Sequence, residues 1–260
     1  MKKNMFLLAA SMLLLTTVSC QNQKKADEAA PADTTATVKM EEPTVKSVYD
    51  TDDAVFFGLK GEVKEVVTTF YEATPNGNKL IRGKKNTDAA EQHVTFNELG
   101  YVTLDPYGNP YAYDENGKFV KGRSKTTKMV RDNRGLITVY DHQIQGDEHW
   151  NSYKYEFKHD DAGRISEYTY TGWEEIFGYK FIYENEDDLW PIKQTMEGQA
   201  CADLFESEIL YRYLSFDEQG NWLERECWTV DKQGVDNGDD NPDMTSENSY
   251  SIERRTITYY

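Results

Sequence analysis

Tyr153-Lys154-Tyr155-Glu156-Phe157-Lys158-His159-Asp160-Asp161-Ala162-Gly163-Arg164-Ile165-Ser166-Glu167-Tyr168-Thr169-Tyr170 reads as a strand, a turn and a second strand. Rings at 153, 155, 157 and 159 alternate with Lys154, Glu156 and Lys158. That period of two belongs to a half-buried strand with one aromatic and one polar face. Phe177, Tyr179, Phe181 and Tyr183 alternate in the same way with Gly178, Lys180 and Ile182. Between the strands, the Asp160 side chain can accept a backbone hydrogen bond from two residues on. Gly163 supplies a positive φ at low cost where the chain turns back.

The same punctuation recurs through the chain. It appears as Asn97-Glu98-Leu99-Gly100, Asp114-Glu115-Asn116-Gly117, Asp132-Asn133-Arg134-Gly135 and Asp217-Glu218-Gln219-Gly220. Glu184-Asn185-Glu186-Asp187-Asp188 looks like a degenerate copy with Asp in place of Gly. Loops this short make the flanking strands antiparallel neighbours. The glycines fall 17, 18, 28 and 57 residues apart, too uneven for a solenoid of equal rungs.

About fourteen short strands are expected, and so wide an antiparallel sheet must curl or split. The expected fold is all-β: a hairpin meander forming one strongly curled sheet or open half-barrel, its concave face lined by Tyr and Phe. A sandwich is the alternative. Ile252–Tyr259 should add to an edge or return to close the sheet, and Asp231–Asp243 should be a mobile loop. Register stays open. A four-residue loop at Asp160 sets Tyr155 opposite Tyr168, Tyr153 opposite Tyr170 and Glu156 opposite Glu167. A three-residue loop at Asp217 sets Arg212 opposite Glu226 and Leu210 opposite Trp228. Cross-strand pairs of about 0.2–1 kcal/mol each do not choose between such registers.

Tyr113-Asp114-Glu115-Asn116-Gly117-Lys118 and Asp160-Asp161-Ala162-Gly163-Arg164 resemble the YD repeats of RHS-type proteins and the hairpin units of MORN-like proteins. The resemblance spans roughly residues 96–222. The C-terminal segments Gly220-Asn221-Trp222-Leu223-Glu224-Arg225 and Arg254-Arg255-Thr256-Ile257-Thr258-Tyr259-Tyr260 resemble the end of small bacterial envelope lipoproteins of unknown function. That resemblance implies a β fold and an envelope location, and no catalytic residues.

The start of the chain fits the same picture. Lys2 and Lys3 precede the apolar run Met5–Leu15, which is too short to span a bilayer as a helix. Thr17-Val18-Ser19-Cys20 resembles a bacterial lipobox, which implies a diacylglycerol on Cys20. Two or three acyl chains, at about 0.8 kcal/mol per buried methylene, make a stable anchor. Gln21, where an Asp would resemble an inner-membrane retention signal, implies an outer-membrane address. Residues 1–19 are thus expected to be a signal peptide. Residues 20–50 are expected to be a lipidated, disordered tether, poor in aromatics and unable to offset its ordering entropy. Residues 51–260 are expected to be the hairpin domain.

The 260 residues carry 46 Asp and Glu against 29 Lys and Arg, a formal charge of -17. Nucleic acid is therefore not an expected partner, because phosphate contacts need clustered cations. The 13% aromatic content is too high for a wholly disordered chain.

No nucleophile elbow, phosphate loop, dinucleotide fingerprint or Cys-x-x-Cys motif is present. Neither a catalytic residue nor a cofactor is expected. Asp141-His142 with Asp147-Glu148-His149 could ligate a divalent metal, and Asp231, Asp236, Asp239, Asp240 and Asp243 could hold calcium. Solvated turns are the reading adopted for both, so no metal is expected. Trp173, Glu174 and Glu175 are the candidate ligand-binding residues, because an aromatic platform beside acids suits a sugar. A disulfide between Cys201 and Cys227 stays open, since a hairpin at Asp217 brings Cys227 opposite 210 or 211. Three functions follow as expectations: a non-catalytic, membrane-anchored lipoprotein that binds or scaffolds an envelope protein, glycan or lipid; an envelope glycan hydrolase; or a lipid-carrying half-barrel.

Overall fold

The computed structural model describes residues 52–123, 126–144, 151–236 and 243–260. The expected signal peptide, Cys20 and tether lie outside the described residues. A five-residue helix, α1 (Asp52–Phe56), leads into β1 (Val63–Asn76), β2 (Lys79–Lys85), β3 (Gln92–Phe96) and β4 (Val102–Leu104). Next come β5 (Ala112–Tyr113), β6 (Phe119–Lys121), β7 (Lys128–Arg131), β8 (Ile137–His142), β9 (Tyr153–His159) and β10 (Ile165–Thr171). Then follow β11 (Glu175–Ile182), β12 (Lys193–Ala200), β13 (Asp203–Phe216), β14 (Trp222–Val235) and β15 (Met244–Tyr259).

Thirteen strands form one antiparallel sheet in the order β4-β3-β1-β15-β14-β13-β12-β11-β10-β9-β8-β7, with β2 also on β1. β5 and β6 pair separately. The fold is therefore the all-β meander, in one layer rather than a sandwich, and the sheet is not closed. The C-terminal strand takes neither expected place. β15 lies inside the sheet, hydrogen-bonded to β14 on one side and to β1 on the other. Residues 251–254 of its 16 are paired on both edges, while its first half pairs with β14 and its last residues with β1. The acidic insert is also shorter than expected, because Asp231 to Val235 continue β14.

Six turns share one hydrogen-bond scheme, starting at Asn97, Asp105, Asp114, Asp132, Asp160 and Asp217. In each, the N–H of the first residue donates to the carbonyl of the fifth, and the fourth residue's N–H donates back to the first residue's carbonyl. The fifth residue's N–H also donates to the side-chain Oδ1 of the first. The fourth residue is always Gly, with φ between 75° and 88°. This is a three-residue loop ending in a glycine bulge. Gly220 isolates the backbone requirement, since the nearest atom to an added Cβ would be Lys60 Nζ at 4.0 Å. Gly220→Ala is expected to cost about 1–2 kcal/mol from its left-handed φ alone. Urea unfolding checks this, and an unchanged midpoint would show that the turn tolerates a side chain there.

A second irregularity follows five of these turns. Thr103, Val120, Thr138, Ser166 and Leu223 each fall out of the ladder, six residues after the turn begins. At Asp160 the loop has three residues, and the bulge then carries Tyr155 opposite Tyr170 and Phe157 opposite Tyr168. The four-residue register does not form, and Glu167 faces Lys158 at 2.6 Å instead of Glu156. At Asp217 a further shift near Leu214 offsets the bulge, so Arg212 does face Glu226 and Leu210 does face Trp228. Glu184–Asp188 is no copy of the turn. Its carbonyls at Asn185, Glu186 and Asp188 instead surround Arg164 Nη1, at 2.8, 3.0 and 2.7 Å. Arg164 also donates to Asp160 and lies over the Tyr183 ring, so the Arg of the repeat-like unit clamps the neighbouring loop.

Directly paired residues share a face of the sheet. One row runs Tyr140, Tyr155, Tyr170, Phe177, Gly198 and Phe205 across β8 to β13. The rings of Phe177 and Phe205 meet at 5.7 Å across Gly198. This aromatic face looks inward, and α1 plugs one end of it. Ala54, Leu59, Val63, Val66, Val94, Phe96, Val102 and Ile137 form the core there. Asp53 ties the two ends of the sheet together. Its carboxylate accepts Val102 N of β4 at 2.8 Å and Arg131 Nη1 of β7 at 2.6 Å. The outermost strands of the sheet are thus brought to one carboxylate by the curl.

Candidate functional site

The inward face is not filled everywhere. Val102 leads into Asp105-Pro106-Tyr107-Gly108-Asn109, a copy of the repeated turn with Pro at its second position, where a fixed φ near −65° suits a type I turn. Leu104 bridges Pro110, which folds the segment back over the sheet. Tyr107 stacks on Tyr155 of β9 with centroids 5.8 Å apart, and Tyr111 packs on Tyr140 of β8 at 5.0 Å. From the other side, Phe56 of α1 meets Phe157 at 4.8 Å. Beneath this cover lies a hollow of about 170 Å³. Tyr155, Phe157, Ile165 and Tyr168 form its floor, and Pro106, Tyr107, Tyr111 and Phe57 form its roof.

One carboxylate borders the hollow. Asp105 is 6% exposed and is the buried member of the six turn-starting residues. Its Oδ1 accepts Tyr107 N and Asn109 N, and its Oδ2 accepts Asn109 Nδ2 and Tyr111 OH, all at 2.9 Å. Tyr153 OH donates to Asn109 Oδ1 at 2.6 Å and extends the network to β9. Burial pushes the Asp105 carboxyl above its usual range, against the bonds from Asn109, Tyr111 and Tyr107, which pull it down. Both oxygens are occupied, so Asp105 sets the position of the roof and has no spare lone pair aimed at a ligand. Burial also raises the Tyr155 and Tyr168 phenols well above their usual range, and they stay neutral. The hollow is therefore a largely aromatic slot whose floor tyrosines are neutral.

Trp173, Glu174 and Glu175 lie elsewhere, at the β10–β11 hairpin tip. Trp173 is 51% exposed. Glu175 accepts Tyr170 OH at 3.0 Å, while Glu174 accepts the thiol of Cys201 at 3.4 Å. The carbonyl of Glu174 also accepts Cys201 N at 2.8 Å. This joins two neighbouring hairpin tips whose residues Glu174 and Cys201 both hold positive φ, 57° and 53°. Of the three candidates Glu174 makes the tip-to-tip contact, and none of them lines the hollow.

Cys201 is exposed and Cys227 buried, and both are free thiols. His142 is buried beside Thr127 at 2.9 Å, and Asp141 accepts Gln143 Nε2 at 2.6 Å. Asp147, Glu148, His149, Asp239 and Asp240 lie outside the described residues. Among the described residues no group of three or more His, Cys, Asp or Glu is placed to hold a metal. The sequence reading missed the Asp105 turn, although it carries the same Asp/Asn-x-x-Gly signal as the other five. No family model matches this chain, and no curated protein matches it.

Proposed function

We propose that this chain is a lipid-anchored envelope protein that binds rather than catalyses, and that its ligand is a compact apolar ring. The hollow beneath the Asp105 turn carries the reading. Its volume of about 170 Å³ is close to the roughly 150 Å³ of an apolar cavity that admits benzene. It is well below the roughly 300–1,000 Å³ of pockets for drug-sized ligands. That size favours a single ring over an acyl chain or an oligosaccharide. Aromatic walls supply dispersion and edge-to-face contacts, and the neutral tyrosine hydroxyls can orient one polar substituent. The lipobox-like Thr17-Val18-Ser19-Cys20 supports the anchor, and the acidic surface keeps nucleic acid off the list of partners.

The full chain, isolated from membranes, is titrated with toluene and with phenol by saturation-transfer NMR. Saturable binding is expected, and Ile165→Trp, which projects an indole into the hollow, should abolish it. Absence of binding, or equal binding by the filled variant, overturns the ligand. Cys20→Ala should release the chain from the membrane fraction, and retention there overturns the anchor.

A further inference from the structure

Arg225 and Arg255 both lie against the ring of Trp222, their guanidinium carbons 4.4 and 3.8 Å from its centroid. Their surroundings differ. Arg225 donates through Nε and Nη2 to Glu253 Oε2, at 2.8 and 2.7 Å, and its Nη1 faces Tyr213 OH at 3.5 Å. The other Glu253 oxygen accepts the thiol of Cys227 at 3.3 Å. Glu253 is therefore committed to Arg225 and Cys227. Arg255 has no such partner: its Nε and Nη1 are shielded from solvent and meet no acceptor among the described residues. Its neighbour across β1 is Thr68, which carries no charge. Burial and the like charge of Arg225 lower the Arg255 guanidinium to about 9, against the opposing charges of Glu253 and Tyr213, so it is still protonated at neutral pH.

A buried cation whose N–H groups lack acceptors is costly. It does not arise here from a shortage of acids, which outnumber bases by 46 to 29. The Trp222 face supports the cation and holds the guanidinium plane still. That leaves the in-plane N–H groups, which match the oxygens of a carboxylate or phosphate. We propose that Arg255, backed by Trp222, anchors a binding site for a small oxyanion. Residue 255 is partly exposed and Nη2 is not among its shielded atoms, which leaves an approach from that end of the guanidinium. The site is distinct from the aromatic hollow, which is built on β8 to β10, and does not depend on it.

Calorimetric titration of the full chain with inorganic phosphate and with benzoate, at an ionic strength held constant with chloride, tests the site. Saturable binding of at least one is expected, and which one binds separates a phosphate group from an organic acid. Arg255→Met should weaken it by about tenfold or more. If that variant does not fold, Arg255→Lys keeps the charge and removes the planar fork, and the same weakening is expected. No saturable heat from either anion in the natural chain overturns the proposal. So does an affinity unchanged in the variant that folds.

Discussion

Asp53→Ala is expected to lower the unfolding free energy by about 3–5 kcal/mol, the cost of stranding one member of a buried ion pair. The carboxylate is 1% exposed and faces Arg131 at 2.6 and 3.1 Å. Its second oxygen also satisfies the N–H of Val102, at 2.8 Å. Removing it leaves the Val102 N–H without its acceptor and Arg131 with no countercharge and only the Gly135 carbonyl, at 2.8 Å, in a region walled by Val102 and Ile137. The two terminal strands of the main path, β4 and β7, lose the group they share. Paired urea unfolding of the natural and variant chains measures the loss. Asp53→Leu combined with Arg131→Met should recover the part due to the stranded guanidinium, because an apolar replacement of both partners is often near neutral, but not the part due to the Val102 N–H. A cost for Asp53→Ala below about 1 kcal/mol, the value of a surface pair, would mean that sheet twist alone holds the curl.

Trp222→Ala should cost about 3–5 kcal/mol, the range for deleting a large buried ring. Trp222 is 2% exposed, at the start of β14. It touches both guanidinium groups and packs on Tyr213 with centroids 6.0 Å apart. The truncation removes apolar burial and the ring face under two cations together. Trp222→Phe keeps a ring and should cost distinctly less. Thermal unfolding followed by near-ultraviolet circular dichroism reads both variants. A Trp222→Ala chain within about 0.5 kcal/mol of the natural one, as for an ordinary surface change, would remove Trp222 from the account of the sheet's packing.

The hairpins were legible because their cause is local. An Asp or Asn and a Gly three residues later close a turn within five residues, whatever surrounds them. The alternation around Tyr155 and Tyr179 likewise marked which residues face inward. Register was less legible. The residue that leaves the ladder, Ser166 after Asp160 or Leu223 after Asp217, carries no mark of its own. At Asp217 a second shift offset it, so the simple count was right there and wrong at Asp160. Trp173, Glu174 and Glu175 stood out in sequence as an aromatic beside two acids. In the structure their carboxylates are already engaged by Tyr170 and Cys201. Asp105 was passed over because Asp-Pro-Tyr-Gly looks like one more surface turn, and nothing in its spelling says that it lies buried over β9.

The amino-acid order by itself determined the antiparallel meander and the aromatic inner face, since turn closure and period-two patterning act between near neighbours. Only the tertiary structure decided that β15 joins β1 to β14, that one carboxylate gathers both ends of the sheet, and that a hollow remains beneath the Asp105 turn. Those outcomes join residues as far apart as Val66 and Ile257 or Asp53 and Arg131. Contacts of that range depend on how much twist accumulates over the intervening strands, a sum of many small terms that no short stretch of residues encodes.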